Sequence, residues 1–267
     1  MAEIIAIANQ KGGVGKSTTA HALGQGLLFN GYKVLFVDLD SQANLSYTMR
    51  ADVEGLTAYD LLHGTATAAE AIQHTEAGDI IAASSKLAGS DRGINGEGAD
   101  LILKKALEPI ASSYEFIIID TPPALGILTI NAFTAANRVI IPAQADIYSL
   151  QGIGQLYSTI TAVQQHTNPA LSIAGILITR YNGRAILSRD LSELLTDTAE
   201  KLQTKVYKTR IREAIAIKEA QARRTDIFSY AAKTNPAKDY NAFINELLKD
   251  LKDTPKPPQK RKKGFKW

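Results

Sequence analysis

The segment NQKGGVGKSTT, residues 9–19, places three glycines and two lysines between two stretches of very different character. The continuous apolar run IIAIA precedes it at residues 4–8, and Leu23 and Leu27 lie on one helical stripe after it. Backbone amides that converge in a glycine-rich turn ahead of a helix bind anions, aided by the positive end of the helix dipole. The segment therefore predicts a strand, a phosphate-binding loop and a helix.

Five further apolar runs are continuous rather than alternating, as is typical of strands buried on both faces of a parallel sheet. They are VLFVD (34–38), DIIAA (79–83), FIIID (116–120), VIIPA (139–143) and IAGILIT (173–179). Helical patterns separate them, so we predict an α/β fold with a doubly wound, mostly parallel sheet flanked by helices. The polar, glycine-rich segment 88–98 is predicted to be a loop without a function of its own.

Composition narrows the class of protein. The 267 residues include no cysteine, which excludes disulfides, thiolate metal sites and cysteine-held iron–sulfur clusters. We assign residues 1–253 to one domain and expect the Pro- and Lys-rich residues 254–267 to be a disordered basic tail. No run approaches the roughly 20 apolar residues of a membrane span, and no leader pattern is visible, so we expect a cytoplasmic protein without membrane association.

Basic charge is concentrated late in the chain. The tail holds six of the 30 Lys and Arg residues, which leaves residues 1–253 with 24 of them against 27 Asp and Glu, a net charge of −3. Residues 180–224 hold eleven Lys and Arg against six Asp and Glu. Clustered cations bind DNA phosphates without sequence preference, although an ordinary solvated face is the alternative interpretation. The candidate DNA contacts are Arg184, Arg189, Lys208, Arg210, Arg223 and Arg224.

The loop departs from the general P-loop pattern G-x-x-x-x-G-K-S/T, because Gln10 stands where the first glycine would be. The working parts are nevertheless present. Lys16 can reach the β- and γ-phosphates of a nucleotide, and the Ser17 hydroxyl can bind Mg²⁺. Close approach of the backbone is allowed by Gly12, Gly13 and Gly15.

Two carboxylates follow apolar runs. Asp40 stands in VLFVDLDSQAN after the second run, and Asp120 ends FIIID, the fourth predicted strand, just before Thr-Pro-Pro. A hard cation needs oxygen ligands, and an attacking water needs an acceptor that orients it, so both residues are candidates for these roles. An aspartate that only caps the next turn is the alternative, and it is the interpretation that we favour for Asp38.

The stretch KGGVGKST, with lysine at its first position, resembles the deviant Walker A motif of the ParA/MinD superfamily of P-loop ATPases. The resemblance covers residues 3 to about 250. It implies ATP and Mg²⁺ as cofactors and hydrolysis to ADP and phosphate. It also implies a homodimer formed on ATP binding, in which Lys11 reaches the phosphates bound by the partner subunit.

The resemblance assigns roles to particular residues. Lys11, Lys16 and Asp40 are the catalytic candidates, with Asp40 positioning the water, and Ser17, Asp40 and Asp120 are the metal candidates. Asn182, in the loop TRYNG at residues 179–183, is the candidate contact to adenine. The other predicted nucleotide contacts are Lys11, Gly12, Gly13, Val14, Gly15, Lys16, Ser17, Thr18 and Asp120.

Several stretches resemble the ParA branch rather than MinD, namely DLDSQAN, DTPP, PAQADIYSLQG (142–152) and TRIREAIAIKEA (209–220). This branch implies plasmid or chromosome partition: an ATP-bound dimer binds nonspecific double-stranded DNA in the nucleoid, and a ParB-like centromere-binding partner stimulates hydrolysis and release. Arg212-Glu213-Ala214 and Arg223-Arg224 depart from the family pattern. The alternatives are a MinD-like membrane-associated positioning ATPase and a metabolic P-loop ligase.

Overall fold

The structure, a computed structural model, describes residues 2–182 and 186–253. Within these ranges it describes every side chain except those of residues 91, 92, 147, 148, 150, 151 and 186–192. A seven-stranded sheet lies at the centre of the described part of the chain. The strands are β1 (Glu3–Ile7), β2 (Val34–Asp38), β3 (Ile72–Thr75), β4 (Gly78–Ile81), β5 (Phe116–Asp120), β6 (Arg138–Ala143) and β7 (Ser172–Ile178). Their spatial order is β3-β4-β2-β5-β1-β6-β7. Every neighbouring pair is parallel except β3 and β4. The predicted doubly wound, mostly parallel sheet is confirmed.

Helices cover both faces of this sheet. They are α1 (Lys16–Phe29), α2 (Asn44–Thr48), α3 (Ala58–Leu62), α4 (Ala68–Ala71), α5 (Ser90–Gly93), α6 (Ile102–Leu107), α7 (Ile127–Ala135), α8 (Ile147–His166), α9 (Ile186–Lys201), α10 (Ile215–Ala222), α11 (Ile227–Ala231) and α12 (Asn235–Asp253). Single 3-10 turns lie at Ser85–Gly89, Ala99–Leu101 and Ala111–Ser113.

Two apolar cores result from the alternation of side chains along each strand. Ile117 and Ile119 of β5 face a core shared with α3, α4, α6, α7 and α8. Ile118, between them, faces a second core shared with α1, α2, α10, α11 and α12. Both faces of the central strands are therefore buried, which explains why their sequences are continuously apolar.

Helix α1 packs unusually close to its surroundings. A Cβ atom at Gly24 would lie 2.1 Å from Cε1 of Phe36 on β2, and one at Gly26 would lie 2.1 Å from Cδ1 of Ile244 on α12. These two glycines hold the helix that follows the loop tightly between the sheet and α12.

Register brings the predicted site residues to one edge. Ile7 and Asp38 both pair with Asp120 across the central strands. The loop after β1 therefore begins beside the aspartates that end β2 and β5, at the carboxyl edge where such sheets bind ligands.

Two predictions about local structure are wrong. The strand β3 was missed, so Asp120 ends the fifth strand and not the fourth. Its sequence, IQHT, is polar and partly exposed because β3 is an edge strand, which hides it from a search for apolar runs. The segment 88–98 contains α5 and the end of a 3-10 turn rather than only a loop.

Within the described residues, no helix has both the length and the apolar character needed to cross a bilayer.

Candidate active site

The glycine-rich loop has the backbone geometry of a phosphate cradle. Gly13 and Gly15 have φ of 76° and 87°, in the left-handed region that favours glycine, and Gly15 caps the N-terminus of α1. The loop is held from behind by the ends of two strands. Gln144 Nε2, after β6, donates to the Gly13 carbonyl at 3.2 Å, and Thr179 Oγ1, after β7, donates to the Val14 carbonyl at 2.7 Å. These contacts fix the loop before any ligand binds.

Asp120 is a buried carboxylate whose two oxygens accept no hydrogen bond from the described residues. The residue is 0% exposed. Burial and the neighbouring charge of Asp38 hold its pKa well above the ordinary value, whereas the Ser17 hydroxyl and the Lys16 ammonium act in the opposite direction. Such a group requires a cation or a proton.

These residues fit Mg²⁺. Among the residues that the structure describes, no three His, Cys, Asp or Glu side chains are arranged to hold a metal by themselves. Mg²⁺ does not need such a cage, because it keeps several waters and takes one or two protein ligands together with phosphate oxygens. The Ser17 hydroxyl and the neighbouring Asp120 carboxylate would supply that donor set.

Lys16 is a buried cation that faces this carboxylate. Burial lowers the pKa of Lys16, and the charges of Asp120 and Asp40 oppose that shift without cancelling it. Among the described residues, its ammonium donates one hydrogen bond, to the Lys11 carbonyl at 3.4 Å. The Lys16 ammonium therefore makes only a weak hydrogen bond and is already removed from water, so it can bind an anion at little cost.

Asp38 and Asp40 differ in role. Asp38 accepts hydrogen bonds from the Ser46 amide at 2.9 Å, the Ser46 hydroxyl at 2.7 Å and the Asp40 amide at 3.1 Å. Burial, only partly offset by these bonds, raises its pKa to about 6. Asp38 thus shapes the turn. Asp40 lines a cavity beside the loop, and in the part of the chain that the structure describes its carboxylate accepts only from the Gln42 amide, at 3.0 Å.

Lys11 does not point at the same place as Lys16. Its ammonium pairs with Asp146 at 2.5 Å, and each side chain is 28% exposed. Asp146 also caps α8 by accepting from the Ser149 amide at 2.9 Å. Burial raises the pKa of Asp146, but the bonds from Lys11 and Ser149 outweigh it and the pKa falls below its ordinary value. The first lysine of the loop is therefore held away from the chain's own phosphate cradle.

Two hollows adjoin the loop. The larger, about 840 Å³, runs along α1 past Asp40 and the two prolines after Asp120 to α10. The smaller, about 150 Å³, also contacts Gly13 and Gly15 and is lined further by Arg180, Ile211 and Glu213. Gln221 connects the two, because it lines both and donates to the Thr18 hydroxyl at 2.8 Å.

The structure brings most of the predicted nucleotide residues together. The larger cavity is lined by Gly12, Gly13, Gly15, Lys16, Ser17, Thr18 and Asp40. Val14 is buried and anchors the loop, and Asp120 lies beneath it. Asn182 is exposed and belongs to the lining of neither hollow, so its contact with adenine stays a prediction. Sequence reasoning missed Asp146, Gln144, Thr179 and Gln221.

The candidate DNA contacts fall into separate groups. Arg184 and the side chain of Arg189 lie outside the described residues. Arg210 stacks on Tyr181 with Cζ 4.7 Å from the ring centroid, and the exposed Lys208 is close in sequence. Arg223 and Arg224 follow α10, whose eight residues span about 12 Å. Among the described residues, no hydrogen bond or ring contact joins Arg210 to Arg223 or Arg224.

A P-loop between a buried strand and a helix, beside the buried carboxylate of Asp120, defines a nucleoside triphosphatase. Comparison with known proteins agrees. The AAA domain family (AAA_31) matches residues 2–173. The sporulation initiation inhibitor protein Soj of Bacillus subtilis is 39% identical over 253 residues, which cover 92% of this chain and 98% of that protein. The chromosome-partitioning ATPase Soj of Treponema pallidum is 38% identical and covers 93% and 98%.

A solved structure is also similar. Cobyrinic acid a,c-diamide synthase from Mycobacterium smegmatis, with bound ADP and magnesium, is 34% identical with a TM-score of 0.82 and covers 94% of this chain and 96% of its own. The chain belongs to the ParA/Soj-like partition ATPases of the ParA/MinD superfamily, with the AAA domain at residues 2–173. It is an ATPase, and its cofactors are ATP and Mg²⁺.

Proposed function

We propose that this ATPase partitions DNA by forming an ATP-dependent dimer in which Lys11 serves the partner subunit. The observation that carries the proposal is the divergence of the two loop lysines. Lys16 is buried towards Asp120 and Asp40, whereas Lys11 is held by Asp146 at the outer side of the loop. One cation thus suffices for the chain's own phosphates, and the second is placed for a site in another copy.

Each residue of the site then has a definite task. The loop amides and Lys16 bind the β- and γ-phosphates. Ser17 and Asp120 would hold Mg²⁺, which would supply positive charge beside the phosphates. Asp40 uses its free carboxylate oxygen to orient the attacking water. The base binds in the smaller hollow, beside Arg180 and Ile211, whose lining does not include Asp40.

The dimer binds nonspecific double-stranded DNA through exposed cations, and hydrolysis releases it. This cycle associates the protein with the nucleoid, and a ParB-like partner with a basic N-terminal segment accelerates the slow turnover. The excess of Lys and Arg in residues 180–224 supports a polyanionic partner. The proposed cargo is a plasmid or a chromosome.

Two measurements test the proposal. Sedimentation velocity of the Asp40→Ala variant with ATP and Mg²⁺ is expected to show a dimer, since binding is retained while turnover is blocked. Binding to duplex DNA, measured across a salt series, is expected with ATP but not with ADP, and not for Lys16→Ala with ATP. Equal DNA binding in all three cases would contradict the proposal. Sedimentation with liposomes in place of DNA would indicate the membrane-associated alternative.

A ligase is the second candidate function, because the structure of a diamide synthase resembles this chain over nearly its full length. A ligase couples ATP turnover to a small-molecule acceptor. Turnover that depends on an added carboxylate substrate, and not on DNA or a protein partner, would favour this candidate over partition.

A further inference from the structure

Three arginines meet where α2 and α10 end. Arg50 follows the C-cap of α2, Arg223 is the C-cap of α10, and Arg224 is the next residue. Nη2 of Arg50 donates to the carbonyl of Arg223 at 3.5 Å, although the two residues are 173 positions apart. All three side chains are exposed. We call these three residues the Arg50 patch.

Tyrosine rings hold two of the guanidinium groups. Cζ of Arg224 lies 3.7 Å from the ring centroid of Tyr47, and Cζ of Arg223 lies 5.6 Å from that of Tyr230. A guanidinium stacked on a ring keeps its N–H edges free, and those edges match phosphate oxygens. The stacks therefore orient the donors without consuming them.

The patch also keeps its positive charge. Within residues 2–182 and 186–253, none of the three arginines forms an ion pair with a described carboxylate. The acids nearest to Arg223 and Arg224 in sequence have other partners. Glu219 accepts from the Tyr230 hydroxyl at 3.2 Å, and Asp226 accepts from the Ser229 amide at 2.7 Å.

Two of these positions would suit glycine better. Arg50 and Arg224 have φ of 59° and 52°, the left-handed conformation that glycine usually occupies after a helix. A charged side chain stands there in spite of the backbone cost. This makes glycine a useful substitution, since it removes the cation and relieves the backbone together.

The patch is linked to the nucleotide loop through α2. The Ala43 amide donates to the Asp40 carbonyl at 2.8 Å, and the Tyr47 amide donates to the Ala43 carbonyl at 2.8 Å. Tyr47 itself lines the larger cavity. Two backbone hydrogen bonds thus connect the backbone of Asp40 with that of Tyr47, the residue on whose ring Arg224 rests.

We propose that Arg50, Arg223 and Arg224 form one binding surface for the phosphodiester backbone of duplex DNA, and that Tyr47 ties its geometry to the Asp40 loop. This inference rests on the proposed function for the identity of the polyanion. It adds Arg50, which lies 130 residues before the basic segment, and it names the contact through which nucleotide state reaches the DNA surface.

The test measures binding of a labelled duplex to the full chain, saturated with a non-hydrolysable ATP analogue and Mg²⁺, across a salt series. In Arg50→Gly and Arg224→Gly, the slope of log affinity against log salt is expected to become less negative by about 0.9 for each lost phosphate contact. The thermal midpoint should not fall, because glycine suits the left-handed backbone. Lys104→Gln is the control. Lys104 is an exposed lysine on α6, against the opposite core, and its loss should leave the slope unchanged.

Tyr47 is tested separately. Tyr47→Leu keeps every charge but removes the stack, so affinity should fall about two- to fivefold with the slope unchanged, whereas Tyr47→Phe keeps the ring and the affinity. Equal affinity of the Leu and Phe variants would overturn the proposed link to Asp40.

The remaining outcomes separate this inference from the proposed function. A wild-type slope in Arg50→Gly, with DNA binding still dependent on ATP, would overturn the Arg50 patch and leave DNA partition standing. A loss of nucleotide affinity with an unchanged slope would assign the patch to the nucleotide and also overturn it. Absence of any ATP-dependent DNA binding by the wild-type protein would overturn both.

Discussion

Replacing Asp146 by asparagine should make the ATP-bound dimer tighter. Asp146 holds Lys11 within its own subunit at 2.5 Å, so Lys11 must leave this pair before it can reach a partner. Asparagine removes the charge that retains Lys11 and still caps α8, since Asn and Asp are equally good N-caps. The substitution therefore acts on the ion pair and spares the helix.

The size of the effect follows from the exposure of the pair. Each side chain is 28% exposed, so the pair is neither fully exposed nor buried. Exposed ion pairs contribute up to about 1 kcal/mol, and hydrogen bonds to charged groups contribute about 1.5–3 kcal/mol. Taking about 1 kcal/mol for each subunit gives about 2 kcal/mol for a dimer in which both pairs break. The dimer dissociation constant should then fall about thirtyfold.

Sedimentation velocity over a range of protein concentrations, with a non-hydrolysable ATP analogue and Mg²⁺, measures that constant. Lys11→Ala is the control, and it should stay monomeric whichever residue occupies position 146. A dimer that is weaker in Asp146→Asn than in the wild type would refute the reasoning, because it would mean that Asp146 supports the dimer instead of competing for Lys11.

Three further outcomes are expected. As pH increases towards the raised pKa of Asp120, Mg²⁺ affinity should rise about tenfold per pH unit and then level off above that pKa, because the carboxyl proton must leave before the metal binds. Calorimetry should show this dependence in the wild type. Its persistence in Asp120→Asn would contradict the assignment of Asp120 to the metal. Gly24→Ala should destabilise the fold by about 1–3 kcal/mol in urea unfolding, because its Cβ would meet the Phe36 ring at 2.1 Å, and an unchanged midpoint would show that α1 is not tightly packed. Asp239→Ala should cost about 2 kcal/mol in the same assay, since Asp239 accepts three hydrogen bonds from Arg212, whereas a neutral result would mean that solvent replaces them fully.

The elements that the sequence could predict are those whose environment is uniform. The central strands are buried on both faces and therefore read as apolar runs, as in FIIID at residues 116–120. The edge strand β3 has one neighbour and partial exposure, so its sequence carries no such run. Short helices such as α5 are equally hard to predict, because four residues are too few to show a period.

The residues of the site also fall into those that could be predicted from the sequence and those that could not. Lys16, Ser17 and Asp120 could be predicted from local sequence. Asp120 ends an apolar strand, and Lys16 and Ser17 end the glycine-rich loop that follows another, at the carboxyl edge where such sheets bind ligands. Asp146 and Gln221 contact the loop from 135 and 203 residues away, and no local pattern marks such a contact. The pairing of Lys11 with Asp146 belongs to the tertiary structure alone.

The most direct test of the central claim mixes two inactive variants. Lys11→Ala still binds ATP but lends no cation, and Lys16→Ala lends Lys11 but does not hold its own phosphates. If Lys11 acts on the partner's nucleotide, an equimolar mixture should recover ATP turnover that neither variant shows alone, because one site of the mixed dimer is complete. If the mixture stays as inactive as its components while Lys11→Ala binds ATP normally, Lys11 does not work across the dimer and the account is wrong.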